Sequence, residues 1–261
     1  MKQITSRDNA LYKELKHLAT NASARKKSRQ SVLDGVHLCQ AFLQQKQVPQ
    51  HCVVSDSCVA HAEVAHILQA CAALEVSVIV LPDALYQALS QVDNGVGILF
   101  VIATPTRTVE HVLTGNAVLL DQLQDPGNLG SILRSAAAAG ITQVYCSEGT
   151  ASAWSPKVLR AGMGAHFVLE IYEAVDLLAL LQSAKIPVLA TSSHTRKTIY
   201  QADLRPAMAW LFGHEGQGVA AELIALASDT VTIPQRPEIE SLNVAASAAI
   251  CFFEQVRQGL K

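Results

Sequence analysis

Residues 121–134 read DQLQDPGNLGSILR and join two apolar segments of different character. The first, residues 118–120, has the length of a buried strand, and the second, residues 129–139, is rich in alanine, which favours a helix. Asn128 is a candidate N-cap of that helix because its side chain can accept a hydrogen bond from the first turn. The sequence therefore predicts a strand-to-helix turn, with Arg134 about one and a half turns into the helix.

A second turn of the same kind, residues 211–218, reads LFGHEGQG. Its three glycines allow the backbone to approach a ligand closely, and Glu215 adds one carboxylate. The spacing GxxGxG fits neither a P-loop, which ends in Lys-Ser/Thr, nor the GxGxxG fingerprint of dinucleotide-binding proteins. A nicotinamide-dependent oxidoreductase, which an α/β pattern alone would allow, is therefore disfavoured.

The third turn, residues 233–244, reads IPQRPEIESLNV and leads into the last predicted helix, residues 242–258. Ser241 is the predicted N-cap of that helix, which places Asn243 in the first helical turn. A side-chain amide at that position adds little to the stability of the helix but can form hydrogen bonds with a ligand. The helix is almost wholly apolar as far as Phe253, so we expect it to be buried.

Strand-sized apolar runs alternate with helical stretches along the whole chain. This alternation predicts α/β domains. In the second segment, where strand ends lead directly into helix starts, it predicts a parallel sheet with ligands at the carboxyl ends of the strands. Residues 104–116 contain a proline, a glycine and several threonines, and we place the domain boundary there. The predicted organisation is a first domain at 1–105, a linker at 106–116 and a second domain at 117–261.

The composition limits the class of protein. Half of the 261 residues are hydrophobic and the formal net charge is −2, which is typical of a compact globular protein. The polar N-terminus predicts no signal peptide, and no apolar run reaches the roughly 18 residues of a membrane span, so we expect a cytoplasmic protein. The six cysteines form no CxxC pair, which predicts buried reduced thiols, with neither a disulfide framework nor a metal site.

Basic side chains are concentrated in the first part of the chain. Residues 1–50 contain nine lysines and arginines against three acids, whereas residues 51–106 contain no lysine or arginine. Such a cluster can attract a polyanion, although an ordinary solvated helix face gives the same pattern. Residues 21–30 are predicted to form a basic loop, which contains Arg25, Lys26, Lys27 and Arg29.

Together the three turns resemble the motifs of the SpoU family of RNA ribose 2′-O-methyltransferases, within the SPOUT superfamily. The matching positions are Asn128, Gly130-Ser131-Ile132 and Arg134, then Gly213, Glu215 and Gly218, then Ile233-Pro234 and Ser241-Leu242-Asn243-Val244. Each motif is weak alone, but three in this order and at these separations are highly specific. His214 and Gln235 depart from the pattern, since Asn and Met are common there.

The resemblance implies a fold that periodicity could not indicate. Family members thread the C-terminal helix through a preceding loop, which gives a deep trefoil knot, a topology that general folding rules would reject. Ile4, Asn9, Lys13 and Asp34-Gly35 resemble the smaller L30e-like α/β domain, named after a ribosomal protein, with which many rRNA-directed members bind their substrate. Members are typically homodimers, so we expect a homodimer.

The resemblance also implies the chemistry. A methyl group would pass from the sulfonium of S-adenosylmethionine to a ribose 2′-hydroxyl of RNA, most simply 23S-type rRNA, with no metal because the electrophile is already charged. The implied catalytic residues are Asn128, Arg134, Glu215, Ser241 and Asn243. The implied cofactor-binding residues are Thr191, Leu211, Gly213, Gly218, Ile233 and Leu242. The basic side chains Arg25, Lys26, Lys27 and Arg29 would contact RNA phosphates.

Two points stay open at this level. A neutral guanidine is scarce because the pKa of arginine lies above about 12, so we favour Arg134 as a phosphate and alkoxide anchor over a general base. A tRNA substrate and a non-catalytic RNA-binding relative are the alternative functions. The intact set of five polar site residues argues against the non-catalytic alternative.

Overall fold

The computed structural model describes residues 1–92, 95–108 and 112–260. Residues 109–111 of the predicted linker therefore lie outside the described residues. The chain divides into two compact units, which are Met1–Pro105 with Trp154–Phe167, and Thr106–Ala153 with Val168–Lys261.

The first unit is built around a mixed β-sheet. Its described strands are β1 (Lys2–Gln3), β2 (Gln30–Asp34), β3 (His51–Ser55), β4 (Ser77–Leu81) and β5 (Ile98–Ala103). They lie in the order β1-β4-β3-β5-β2; β4 is parallel to β1 and β3, and β5 is antiparallel to β2 and β3. The described helices of residues 1–105 are α1 (Ala10–Thr20), α2 (Ala22–Ser28), α3 (Val36–Gln44), α4 (Ala62–Ala73) and α5 (Asp83–Gln87).

Helix α2 corrects the prediction of a basic loop at residues 21–30. Asn21 caps the helix by accepting a hydrogen bond from the Ala24 N–H at 3.1 Å. The helix buries no residue, so it has no apolar periodicity by which the sequence could have revealed it. Arg25 donates to the carbonyl oxygens of Leu18 at 2.8 Å and Ala19 at 3.4 Å, which ties α2 to the end of α1.

The second unit is built around a parallel sheet, as predicted. Its described strands are β6 (Ala117–Leu120), β7 (Gln143–Ser147), β8 (Glu170–Val175), β9 (Val188–Thr191), β10 (Ala209–Phe212) and β11 (Asp229–Val231). They lie in the order β11-β9-β10-β6-β7-β8, and every neighbouring pair is parallel. The carboxyl ends of all these strands therefore lie at one edge of the sheet. This edge is where the turns at 121–125, 213–218 and 232–243 begin.

Along the chain, helices lie between the strands of this sheet. In the described part of this unit they are α6 (Pro126–Ala138), α8 (Leu177–Gln182), α9 (Ala221–Leu226) and α10 (Val244–Gly259), and the Trp154–Phe167 segment of the first unit supplies α7 (Pro156–Gly162). Helix α10 packs against α6, although the strand before it, β11, is at the far edge of the sheet. That course is consistent with the trefoil knot, which stays a prediction. None of the helices seen in the described ranges is both long and apolar enough to cross a bilayer.

The segment between β7 and β8 packs within the first unit. Helix α7 lies against β2, and the Phe167 ring meets the Phe42 ring edge-on at 5.3 Å. Arg160 donates to the Gln91 side chain at 3.5 Å. Residues that sequence position alone would assign to the second domain thus complete the core of the first.

Two predicted helix caps are wrong by a few residues. Helix α6 begins at Pro126, and Asp125, not Asn128, caps it by accepting from the Asn128 N–H at 2.8 Å. Proline is well suited to the first helical position, because it has no N–H to satisfy there. Helix α10 is capped by Asn243, not Ser241, through the Ala245 and Ala246 N–H groups at 2.9 and 3.2 Å. The Asn128 side chain is consequently released from capping.

Candidate active site

The three turns are joined by a chain of side-chain hydrogen bonds. The Asn128 amide donates through Nδ2 to Glu215 Oε1 at 3.1 Å. The Asn243 amide donates through Nδ2 to Asn128 Oδ1 at 2.9 Å, while its own Oδ1 caps α10. Asn128 thus occupies the centre, with Glu215 of the second turn on one side and Asn243 of the third turn on the other.

Glu215 also binds the backbone of the first turn. Its carboxylate accepts from the Asp125 N–H at 3.0 Å and the Gln124 N–H at 3.2 Å. Partial burial raises the pKa of the Glu215 carboxyl, but the hydrogen bonds from Asn128, Asp125 and Gln124 lower it by more, so the pKa lies below its ordinary value of 4.5. A carboxylate held in this way is a weak base, which favours a positioning role for Glu215.

The lowered pKa predicts a pH-dependent contribution of Glu215 to stability. A depressed folded-state pKa adds stability above pH 4.5, the ordinary value, and this stability is lost as pH falls through the folded pKa. We therefore expect Glu215→Gln to lower the melting temperature at pH 7, and the difference from wild type to be smaller at about pH 3, where carboxylates begin to be protonated. Circular dichroism melts at both pH values measure this.

A matched control is Glu14→Gln, because Glu14 is exposed in the middle of α1 and makes no ion pair with any residue in the described ranges. Its melting temperature should follow that of wild type at both pH values. An equal deficit of Glu215→Gln at pH 7 and pH 3 would contradict the assignment.

Arg134 and Ser241 take no part in the hydrogen-bonded chain. The Arg134 side chain is exposed on α6 and makes no ion pair or hydrogen bond with the described residues, so its charge is available to a ligand. Ser241 is exposed in the turn before α10. The structure thus brings together three of the five predicted catalytic residues and leaves these two facing solvent.

The glycine turn of residues 213–218 folds back closely on itself. His214 and Gly218 exchange two backbone hydrogen bonds at 3.0 and 2.8 Å. A Cβ atom on Gly213 would lie 2.1 Å from the Gly218 carbonyl carbon, so only glycine fits at this position. Gly218 has a φ of +73°, which side chains rarely adopt.

The predicted cofactor residues lie at the strand ends beside this turn. Thr191 closes β9 and donates through Oγ1 to the Leu211 carbonyl at 3.4 Å. Leu211 is buried in β10, whereas Ile233 and Leu242 are half-buried in the third turn. A cleft of about 420 Å³ opens between residues 193–195 and the 232–240 loop, and of the six predicted cofactor residues only Ile233 lines it.

One residue of this edge escaped the sequence analysis. Asp121 is only 5% exposed, directly after β6. It accepts from the Ala220 N–H at 3.0 Å and from the Ser147 hydroxyl at 3.5 Å. These bonds connect the end of β6 with the end of β7 and with the residue that precedes α9. A carboxylate that directly follows an apolar strand was the signal that could have identified it.

Comparison with solved structures places the whole fold among methyltransferases. An RNA 2′-O ribose methyltransferase is 30% identical, with a TM-score of 0.83 and coverage of 99% of this chain and 100% of that one. An rRNA methyltransferase from Sinorhizobium meliloti is 25% identical, with a TM-score of 0.85 and coverage of 100% and 99%. The fold and the joined turns define the SPOUT class of methyltransferases.

The sequence comparisons agree. Residues 115–253 match the model described as the SpoU rRNA Methylase family. An uncharacterised tRNA/rRNA methyltransferase from Synechocystis is 31% identical over 98% of this chain and 93% of its own length. The 23S rRNA (guanosine(2553)-2′-O)-methyltransferase of Bacillus subtilis is 29% identical over 97% and 98%. The chain belongs to the SpoU rRNA methylase family.

Proposed function

We propose that the protein transfers a methyl group from S-adenosylmethionine to a ribose 2′-hydroxyl of RNA, most simply 23S-type rRNA. The observation that carries this proposal is the hydrogen-bonded chain Asn243–Asn128–Glu215, because it joins one residue from each of the three family motifs. The names of the relatives support the RNA substrate and the 2′-O position.

The strand ends of the second unit have the properties that this cofactor needs. The half-buried apolar side chains of Ile233 and Leu242 can flank an adenine ring, and the glycine turn at 213–218 lets the backbone approach it. Ile233 also lines a cleft of about 420 Å³, a volume within the usual size range of ligand pockets. When bound, S-adenosylmethionine supplies an electrophilic methyl group on a positively charged sulfur.

The protein's own residues then bind and orient the substrate. Arg134, permanently charged and exposed, holds the phosphate beside the target ribose and stabilises negative charge that develops on the 2′-oxygen. The three turns are held together by the hydrogen bonds among Asn128, Asn243 and Glu215. Since Glu215 is a weak base and a guanidinium group has no acceptor for a proton, the hydroxyl proton passes to solvent.

Calorimetry with S-adenosylmethionine, followed by transfer of labelled methyl groups to 23S rRNA and to tRNA, tests the proposal. We expect cofactor binding and ribose methylation of the rRNA. Methylation of tRNA alone would show that tRNA is the substrate. Absence of cofactor binding would contradict the enzyme function and favour the alternative of a non-catalytic RNA-binding protein. Mapping ribose methylation in a strain that lacks the protein identifies the nucleotide.

We assign RNA binding to the first unit, as an L30e-like domain, and to the surface of α2. Lys26, Lys27 and Arg29 are exposed there, with Arg29 directly after the helix. Arg25 is half-buried, and its guanidinium is already engaged by the α1 carbonyl groups. The first three side chains therefore carry the phosphate contacts in this proposal, and Arg25 supports the helix that presents them.

This division of roles predicts different effects within one basic cluster. Replacing Lys26, Lys27 and Arg29 with glutamine should reduce the slope of log affinity for RNA against log salt by about 2 to 3, because each phosphate contact adds roughly 0.7 to 0.9. Arg25→Gln should mainly lower the melting temperature. Fluorescence anisotropy with an rRNA fragment at several salt concentrations measures the slope, and an unchanged slope in the triple variant would reject the RNA-binding surface.

We further propose a cytoplasmic homodimer. Ile250 and Phe253 are 36% and 49% exposed on one face of α10, of which only Ala248, Cys251, Phe252 and Glu254 are buried, so the helix presents an uncovered apolar patch. A second copy of this chain is the occupant that family membership suggests. Sedimentation velocity at micromolar concentration tests this, and a monomer would exclude the dimer.

A further inference from the structure

Ordering the glycine turn of residues 213–218 costs more conformational entropy than ordering a turn without glycine. Gly213, Gly216 and Gly218 have more conformational freedom to lose than other residues. In the structure Gly213 lies against the Gly218 backbone, and the two backbone hydrogen bonds between His214 and Gly218 hold the ends of the turn together. The peptide groups of Gly216 and Gln217 lie between these ends and are open to a further restraint.

His214 provides that restraint. Its Nδ1 atom accepts from the backbone N–H of Gly216 at 3.0 Å and from that of Gln217 at 3.2 Å. Backbone N–H groups can only donate, so Nδ1 carries no proton and the neutral ring carries its proton on Nε2. The arrangement is equivalent to an Asx-turn, in which an Asn or Asp oxygen accepts from the backbone two residues further on.

The restrained turn has a direct connection to the site. Glu215 follows His214, and its carboxylate accepts from Asn128 and from the backbone of residues 124 and 125. If the peptide groups around Gly216 were free, the Glu215 side chain and the strand-end backbone at Gly213 would not be held in place before ligand binds. The ordering cost would then be added to the cost of binding.

We propose that His214, as the Nε2-protonated tautomer, is a positioning residue that preorganises the glycine turn for the adenosine part of S-adenosylmethionine. The inference rests on the proposed function of the same site. It assigns to the imidazole ring a role in cofactor affinity, with no contact to the reacting atoms.

Nitrogen NMR of the imidazole rings tests the tautomer without any ligand. At a pH where histidine is neutral, we expect the Nδ1 signal of His214 to be that of an unprotonated ring nitrogen and the Nε2 signal that of a protonated one. Comparison with His214→Asn assigns the signals, and His66→Ala, an exposed position on α4, is the control that should leave them unchanged. A proton on Nδ1 would overturn the inference.

Calorimetry with S-adenosylmethionine tests the positioning role. His214→Ala should weaken binding about tenfold, equivalent to about 1.4 kcal/mol. His214→Asn should stay within about threefold of wild type, since an amide oxygen can accept the same backbone bonds. Rescue by asparagine separates this role from a general need for a large side chain, and a melting curve of each variant verifies folding.

The outcomes separate the two proposals. If wild type binds S-adenosylmethionine and folded His214→Ala binds it equally well, only the inference about His214 fails. Equal weakening by alanine and asparagine would also overturn it. If wild type does not bind the cofactor, the proposed function fails and the cofactor role of His214 with it.

Discussion

Arg134→Ala is expected to reduce the rate of methyl transfer by about 10²- to 10³-fold, the usual effect of removing one preorganised charge-stabilising group. The side chain is exposed on α6 and is bonded to none of the described residues, so its removal should change neither the melting temperature nor cofactor affinity. Single-turnover transfer of a labelled methyl group to an rRNA fragment measures the rate. A variant as fast as wild type would remove Arg134 from the mechanism.

Arg134→Lys distinguishes the two roles considered for this residue. Lysine keeps the charge but lacks the planar pair of donors that suits phosphate, so partial activity with no increase towards high pH is expected. A general base would behave differently, because lysine loses its proton at a lower pH than arginine. If the lysine variant matches wild type and its rate rises with pH through the lysine pKa, the electrostatic role is wrong.

Gly213→Ala is expected to abolish cofactor binding, whereas Gly216→Ala should be tolerated. The added methyl group at Gly213 would lie 2.1 to 2.2 Å from backbone atoms of Gly218 and Val219, which cannot move without opening the turn. At Gly216 it would meet only the His214 ring, at 3.7 Å, an ordinary contact. We expect at least about a hundredfold loss of affinity in the first variant and less than about threefold in the second.

Calorimetry with S-adenosylmethionine measures both affinities. The two variants introduce the same methyl group into the same turn, so the comparison separates a backbone clash from a general effect of losing a glycine. Equal affinity of Gly213→Ala and Gly216→Ala would contradict the geometry of the turn.

Local residue chemistry predicted the three strand-to-helix turns that meet at one edge of the sheet. Proline, glycine and asparagine after short apolar runs marked all three turns, and parallel strands bring such turns to one edge of a sheet. The predicted helix caps were wrong because several neighbouring residues have side chains that can cap a helix. The choice among them depends on which residue is the first with helical φ and ψ angles, and the sequence does not reveal this. Helix α2 was missed because it buries nothing.

The contacts within the site could not be derived from spacing. Asn128 and Asn243 are 115 residues apart, and Glu215 lies 87 residues after Asn128. Only the resemblance to a family grouped them, and it did not indicate that Asn128 would be their common partner. Nor did it indicate that Arg134 and Ser241 would stay outside the hydrogen-bonded chain.

The Asn243 amide has a consequence for how the site forms during folding. Its oxygen holds the Ala245 and Ala246 N–H groups at the start of α10, while its nitrogen holds Asn128. We therefore expect the first turn of α10 and the polar chain to open and close together. Hydrogen–deuterium exchange at the Ala245 and Ala246 amides would report, without substrate, the fraction of molecules in which the site is assembled.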